Sequence, residues 1–343
     1  MIFSVPLFAQ EEEENQNICT QVLKNAQKLY DEGKLSPIPS MLNPCIEQGF
    51  TRAEKLSALR LLILTYLFQD EHDLAEQTLL VLLKEDPDYR INEALDPAEF
   101  IYLYNSYRTL PVISIGVIGG VNQTRVSLKQ EYSTDNINSS EVSYKPGINI
   151  QFGLTADFLI YKNLQANFSV LFSGRKYEMT SGRMFNYTNL HVKETQSWLE
   201  APLTLKYIFG NMRMKKFLPF IQAGISGNVF LSSRGEFSRI SIENDNDASG
   251  PSVKLNDLRK KFNSSAILGG GARYKIGYGY VVLDIRYHLG LGNVVNVENR
   301  YSNSELIYYY GYIDNDFKLN NVSISFGYLK SFYKPKKIKV KNE

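Results

Sequence analysis

The sequence predicts an α+β multidomain chain: an N-terminal α-helical hairpin domain followed by an eight-stranded antiparallel transmembrane β-barrel. Three observations carry this reading. Apolar residues recur with helical spacing up to about residue 110 and with period two beyond it. The later strands set one apolar face against one face that bears ions. In the stretch 196–209, Leu199, Ala201, Leu203, Leu205, Tyr207 and Phe209 alternate with Trp198, Glu200, Pro202, Thr204, Lys206 and Ile208. Finally, the connections between strands are alternately long and short, as in barrels with short periplasmic turns and long outer loops.

Composition narrows the class. The 343 residues leave room for two domains, and a net charge of +2 lacks the strongly basic footprint of a nucleic-acid protein. Tyr (23) and Phe (19) against a single Trp suit a β-rich domain with half-exposed aromatics. There is no run of 18 apolar residues, so no transmembrane helix is expected, a test that barrel strands escape. Residues 1–9 read as the end of a secretory signal peptide cleaved after Ala9. They carry no basic n-region, and Leu7 stands where a small residue is usual, so the expected start lies upstream. Cys19 has no lipobox before it, and no lipid anchor is expected there.

Residues 10–110 are the expected periplasmic helical domain. Turn signals at Gly33, Pro37, Pro39, Gly49 and Pro87 divide it into helices at about 18–33, 39–48, 51–68, 72–84 and 97–107. Leu62, Tyr66, Ala75 and Pro87 fall at tetratricopeptide (TPR) offsets, with Ile63, Leu79 and Leu82 departing from that pattern. Cys19 and Cys45 lie on the first two helices. In an exported protein such a pair reads as a disulfide, with two buried free thiols as the alternative. The run Leu59–Phe68 is apolar on more than one side, as expected of a helix buried on two faces. It supplies Leu59, Ile63, Tyr66 and Leu67, which with Leu79 and Leu82 are the candidate partner-binding residues. His72 stands at a helix start with no metal partner nearby and reads as surface.

The barrel is expected over 111–333, with strands at 111–121, 148–158, 164–175, 196–209, 219–231, 265–276, 280–291 and 321–328. Long connections fall at about 122–146, 178–190, 232–263 and 293–318. Short ones fall at Tyr161–Asn163, Gly210–Lys216 and Gly277–Gly279. Gly269–Gly271 lies inside a strand, where it permits curvature or close packing. The polar face carries Asp157, Arg175, Glu200, Lys206, Arg273, Asp284 and Arg286. An eight-stranded barrel is only wide enough for side chains, and an unpaired buried charge is costly. These residues are therefore expected to form a luminal network, with Arg175–Glu200 and Asp284–Arg273 as pairs. A proton or ion path through them is the alternative.

The segments WLEAPLTLKY (198–207), LPFIQAG (218–224), LDIRYHLGL (283–291) and ISFGY (324–328) resemble the PorT-like outer-membrane β-barrel family. The resemblance spans 111 to about 334. It implies an eight-stranded barrel in the bacterial outer membrane, in a family some of whose members serve type IX secretion and gliding machinery. The helical front end departs from a bare barrel of that family.

No catalytic constellation emerges. The three His (His72, His191, His288) lack zinc spacing, and there is neither a nucleophile elbow nor a phosphate loop. His191 has Glu194 and Ser197 nearby, but strand alternation puts His191 and Glu194 on opposite faces. No enzymatic activity, cofactor or metal is expected. The run Glu243–Asp247 reads as a solvated outer loop, with calcium binding as the alternative. The basic tail 334–343 reads as a periplasmic collar against headgroup phosphates, worth about 1 kcal/mol per charge. The expected role is a non-enzymatic subunit that anchors or scaffolds a larger envelope machine for secretion, gliding or outer-membrane protein assembly. Its expected partners are other outer-membrane or periplasmic proteins, the bilayer and lipopolysaccharide, with no nucleic acid. A small pore and a surface-binding protein acting through outer loops are the rivals.

Overall fold

In the computed structural model the chain divides into a helical unit, up to Pro111 and again from Tyr333, and a barrel unit over Val112–Phe332. The described residues are 7–134, 142–183, 188–212, 215–241 and 247–338. Of the expected signal-peptide remnant, residues 1–6 lie outside them, as do residues 243–246 of the acidic run and 339–343 of the tail.

The helical unit is built around one central helix. Helices α1 (Leu7–Asp31), α2 (Ile38–Glu47), α3 (Arg52–Phe68), α4 (His72–Glu85) and α5 (Ala98–Asn105) follow the expected order. Thr51 and Glu54 start α3 with a capping box: the Thr51 hydroxyl accepts from the Glu54 N–H, and the Glu54 carboxylate accepts from the Thr51 N–H at 3.0 Å. One side of α3 (Ala58, Leu61, Leu62) packs with Ala26, Ile38 and Leu42 from α1 and α2. Its other side (Leu59, Ile63) packs with Ala75, Leu79, Leu82, Phe100 and Leu103 from α4 and α5. Cys19 and Cys45 are joined in a disulfide that ties α1 to α2.

The tail departs from expectation. Lys336–Lys337 form a short antiparallel ladder with Tyr107–Arg108 in place of a loose collar. The Ile338 N–H donates to the Ser106 carbonyl at 2.7 Å, the Tyr333 hydroxyl to Asp88 at 3.1 Å, and Lys337 pairs with Glu76. Backbone pairing dictated this fastening, and the charge pattern gave no sign of it.

Eight long strands form the barrel: β1 (Pro111–Gln130), β2 (Val142–Tyr161), β3 (Leu164–Arg183), β4 (Thr188–Ile208), β5 (Phe217–Ser241), β6 (Phe262–Ile276), β7 (Gly279–Gly290) and β8 (Asp316–Tyr333). Consecutive strands pair antiparallel, and β1 lies beside β8, so the sheet closes on itself. At that seam backbones approach closely. A Cβ on Gly120 would fall 2.0 Å from the Ile324 carbonyl oxygen, and one on Gly116 1.8 Å from that of Tyr328. Gly271, in the expected triple glycine, has the same tight relation to Leu283.

Several strands run well past the expected ends, into what the sequence suggested were long loops. A membrane-crossing strand needs only about 9–11 residues, whereas β5 has 25. The reason is an inversion of polarity. Through the lower part of β2 to β5 the outward face is apolar (Phe152, Leu154, Leu203, Ile221) and the inward face polar. Nearer the loop end, Lys176, Glu178 and Thr180 point out while Tyr177 and Met179 point in. Above the lipid band the wall obeys the rule of soluble sheets. Met179, Leu190, Val192 and Phe237 from the strands pack there with Leu255, Leu258, Leu306 and Tyr312 from the connections. A short helix α6 (Ser304–Tyr310) helps close this end. Asn303 caps its start, Gly311 ends it at φ +63°, and Leu306 inserts into the core.

Candidate functional site

The barrel interior concentrates the chemistry of this chain. Strand alternation aims the even-numbered residues of β4 inward, so Glu194, Gln196, Trp198, Glu200, Thr204 and Lys206 are all buried. Their neighbours arrange the lumen in tiers.

At the turn end, Arg273 reaches across to Gln165 (2.9 Å) and lies over the Tyr280 ring at 4.4 Å. In the next tier, Lys206 pairs with Asp157 at 3.0 Å, and Arg286 holds Asp284 at 2.9 Å. Asn167 and Gln222 donate to those carboxylates at 2.8 and 2.6 Å, so residues from β2, β3, β4, β5 and β7 interlock across the barrel. Above this, Arg175 meets Glu200 at 2.7 Å and stacks on Trp198 at 4.9 Å. His288 Nδ1 lies 3.8 Å from the other Glu200 oxygen.

The seven sequence-derived residues thus all lie in the lumen. One expected pair differs: Asp284 takes Arg286 and, at 4.0 Å, Lys206 in place of Arg273. Arg273 stands opposite Val282 in the register, one step nearer the turns, where Gln165 is within reach.

The uppermost tier was not foreseen. Arg259, from the connection between β5 and β6, inserts its guanidinium between Glu194 and Asp314. Two parallel bonds run to Glu194 (2.7 and 2.6 Å) and one to Asp314 (2.8 Å). Ser233 and Gln196 also donate to Glu194, at 2.6 and 2.7 Å, and Tyr177 bonds it too. Asp314 accepts from the Tyr312 hydroxyl at 2.6 Å. Arg259 and Asp314 sit in segments without strand periodicity, so the one available signal was a lone Glu194 on an inward face.

Among the described residues the buried cations Arg175, Lys206, Arg259, Arg273, Arg286 and Arg300 accompany the carboxylates Asp157, Glu194, Glu200, Asp284 and Asp314, with Arg300 paired to the less buried Asp316. Between the ion-paired tiers, Asn122, Thr124, Asn321 and Ser323 and the facing edges of Arg286 and His288 carry buried polar atoms with no hydrogen-bond partner. Such groups need internal water or a polar ligand.

The other sequence-derived residues separate. His191 is outward, with Nδ1 3.1 Å from the Thr180 hydroxyl, while Glu194 is in the lumen. Among the described residues no cluster of His, Cys, Asp and Glu has the makings of a metal site. Asp247 accepts from the Ser241 N–H. Of the six candidate partner-binding residues, Leu59, Ile63, Leu79 and Leu82 are buried in the helical core, and Tyr66 and Leu67 pack against it. That correction has a plain cause: α3 uses both of its apolar faces within its own unit. Among the described residues of that unit, Phe68, Leu95 and Tyr102 are the large apolar side chains that stand more than three-quarters exposed.

A closed eight-stranded barrel with an apolar outer band and an ion-paired interior defines a small outer-membrane β-barrel. The family described as outer membrane protein beta-barrel domain matches residues 112–296, more than half of the chain, and the chain belongs to that family. No curated protein matches it. Among solved structures it is similar to the outer membrane protein OprG from Pseudomonas aeruginosa (11% identity, TM-score 0.38, covering 65% of this chain and 98% of that one). It is also similar to Outer Membrane Protein W of E. coli (14%, TM-score 0.33, 65% and 99%). A third is the outer membrane protease OmpT from Escherichia coli (12%, TM-score 0.31, 64% and 95%).

Proposed function

We propose that this protein is a non-enzymatic anchor: its barrel fixes a periplasmic, TPR-like helical unit to the outer membrane, and that unit docks onto a larger envelope machine. The observation that carries the reading is the interlocked lumen, in which Arg175, Lys206, Arg259 and Arg286 are ion-paired with Glu200, Asp157, Glu194, Asp314 and Asp284. A pore needs an unpaired or one-signed lining that ions can traverse, whereas each tier here is tied across the barrel. On this reading the ion-paired interior passes no solute, and interaction falls to the surfaces. The α3–α4 hairpin, with Ala75 buried at its crossing, fits the TPR-like reading. The resemblance to PorT-like barrels makes a secretion or gliding assembly the partner class.

Site-specific photo-crosslinkers at Phe68, Leu95 and Tyr102 test this in intact cells. Crosslinks from those positions to another envelope protein support the anchor. Crosslinks only from Tyr308, which is 80% exposed on α6, favour surface binding through the outer loops. Steady single-channel conductance of the full-length protein in planar bilayers would instead favour a pore.

A further inference from the structure

The outer wall carries a pattern of charge above its apolar band that gives the expected lipopolysaccharide contact a definite place. Following each strand from the apolar band toward the loop end, the first charged outward residue is Arg125 on β1, Lys145 on β2, Lys176 on β3 and Lys193 on β4. It is Arg234 on β5, Lys260 just before β6 and Lys318 on β8, whereas past β7 the first exposed charge is the acidic Glu298. Seven of the eight are basic, in a chain with 38 basic and 36 acidic residues. On β3 and β5 the acidic side chains come one step farther out: Glu178 lies beside Lys193 (3.7 Å), and Glu236 stands opposite it.

Within this ring one row is free of carboxylates. Lys176 is opposite Thr195, Thr195 opposite Arg234, and Arg234 opposite Lys254. Directly opposed like charges on neighbouring strands repel, and among the described residues Lys176, Arg234 and Lys254 enter no ion pair. The row stands three or four residues beyond Leu231 and Phe172, which for tilted strands is about 8–10 Å. That is the depth of a headgroup layer, where hydrocarbon ends and phosphate begins. An anion lodged between Arg234 and Lys254 turns the repulsion into attraction.

We infer that Lys176, Thr195, Arg234 and Lys254 form a binding site for the phosphate groups of an outer-leaflet glycolipid of the lipid A type. The inference deepens the anchor reading and rests on its orientation, in which the loop end faces outward. Anionic headgroups attract each basic side chain with about fivefold in affinity. Three cations on one phosphorylated glycolipid therefore give roughly 100-fold.

The test uses full-length protein in mild detergent and native mass spectrometry. Diphosphoryl lipid A, the same lipid stripped of phosphate, and phosphatidylglycerol are the probes. The wild type should retain diphosphoryl lipid A, and K176Q/R234Q/K254Q should bind it about 100-fold more weakly while staying heat-modifiable. The turn-end control K162Q/K215Q/K330Q should bind it like the wild type. Equal binding by both triple variants, equal retention of the stripped lipid, or equal binding of phosphatidylglycerol overturns the inference. Orientation is read separately, from reaction of a cysteine at Ser252 with an impermeant label on intact cells. An unreactive Ser252→Cys sinks the orientation, and with it the outer-leaflet assignment, whereas loss of binding alone sinks only the site.

Discussion

Replacing Arg259 by methionine tests whether the loop end is locked onto the barrel by charge. In the native structure the guanidinium spends three hydrogen bonds on two carboxylates and a fourth, at 3.1 Å, on the Leu258 carbonyl. Its side chain has no solvent exposure, and the two carboxylates have about 1% each. Methionine fills similar volume but leaves two buried negative charges facing one another. Breaking one buried pair typically costs about 3–5 kcal/mol. The Ser233, Gln196 and Tyr177 donors still solvate Glu194, so the loss expected here stays within that range in spite of the second carboxylate. Trp198, the chain's single tryptophan, is a ready probe: it is buried and bonded to Gln196, which itself donates to Glu194. Urea unfolding in detergent micelles, followed by its fluorescence, should show R259M destabilised by about 3–5 kcal/mol. Protease should also cut the 253–261 segment faster. Neutralising all three groups in E194Q/R259M/D314N should recover most of the loss, because no uncompensated charge then remains. An R259M protein that unfolds within about 1 kcal/mol of wild type, with its loop equally resistant, would refute an electrostatic lock.

Three further outcomes are expected. Reducing Cys19–Cys45, which closes a 26-residue separation, should lower the stability of the helical unit by about 3.5 kcal/mol on the chain-entropy argument, read as a lower denaturant midpoint in helical circular dichroism. Gly120→Ala puts a Cβ into the Ile324 carbonyl at the β1–β8 seam, so the folded, heat-modifiable band should fall sharply on unboiled gels, and normal migration would show the seam to be loose. Hydrogen bonds from Thr20 (2.6 Å) and then Thr51 hold the Glu54 carboxyl below its ordinary value of 4.5. Its contribution is therefore complete above pH 4.5 and lost as pH falls through the lower folded value. The gap in melting temperature between wild type and E54Q should close on moving from pH 7 to strongly acid solution, and a gap that persists would point to a role independent of the carboxylate's charge.

Much of this architecture was legible in the sequence because it depends on local periodicity. The period-two alternation in 148–158, 196–209 and 280–291 put the right side chains in the lumen, since a strand side chain has just two directions to choose from. Arg175 with Glu200 followed from placing both on inward faces of adjacent strands. The paired Cys19 and Cys45 lay on helices that a short turn returns against each other. What periodicity cannot carry is register and long-range closure. Asp284 took Arg286 because a two-residue offset on one strand brought that partner nearer than a diagonal one across strands. Arg259 and Asp314 come from irregular connections, and the Lys336–Lys337 ladder from residues with no strand pattern at all, so each became visible only once the chain had folded back. The upper halves of β3, β4 and β5 read as loops for a related reason. Their alternation is intact but its polarity is reversed: water lies outside and a small apolar core inside. Sequence tells which residues share a face, and the tertiary structure alone decides which solvent that face meets.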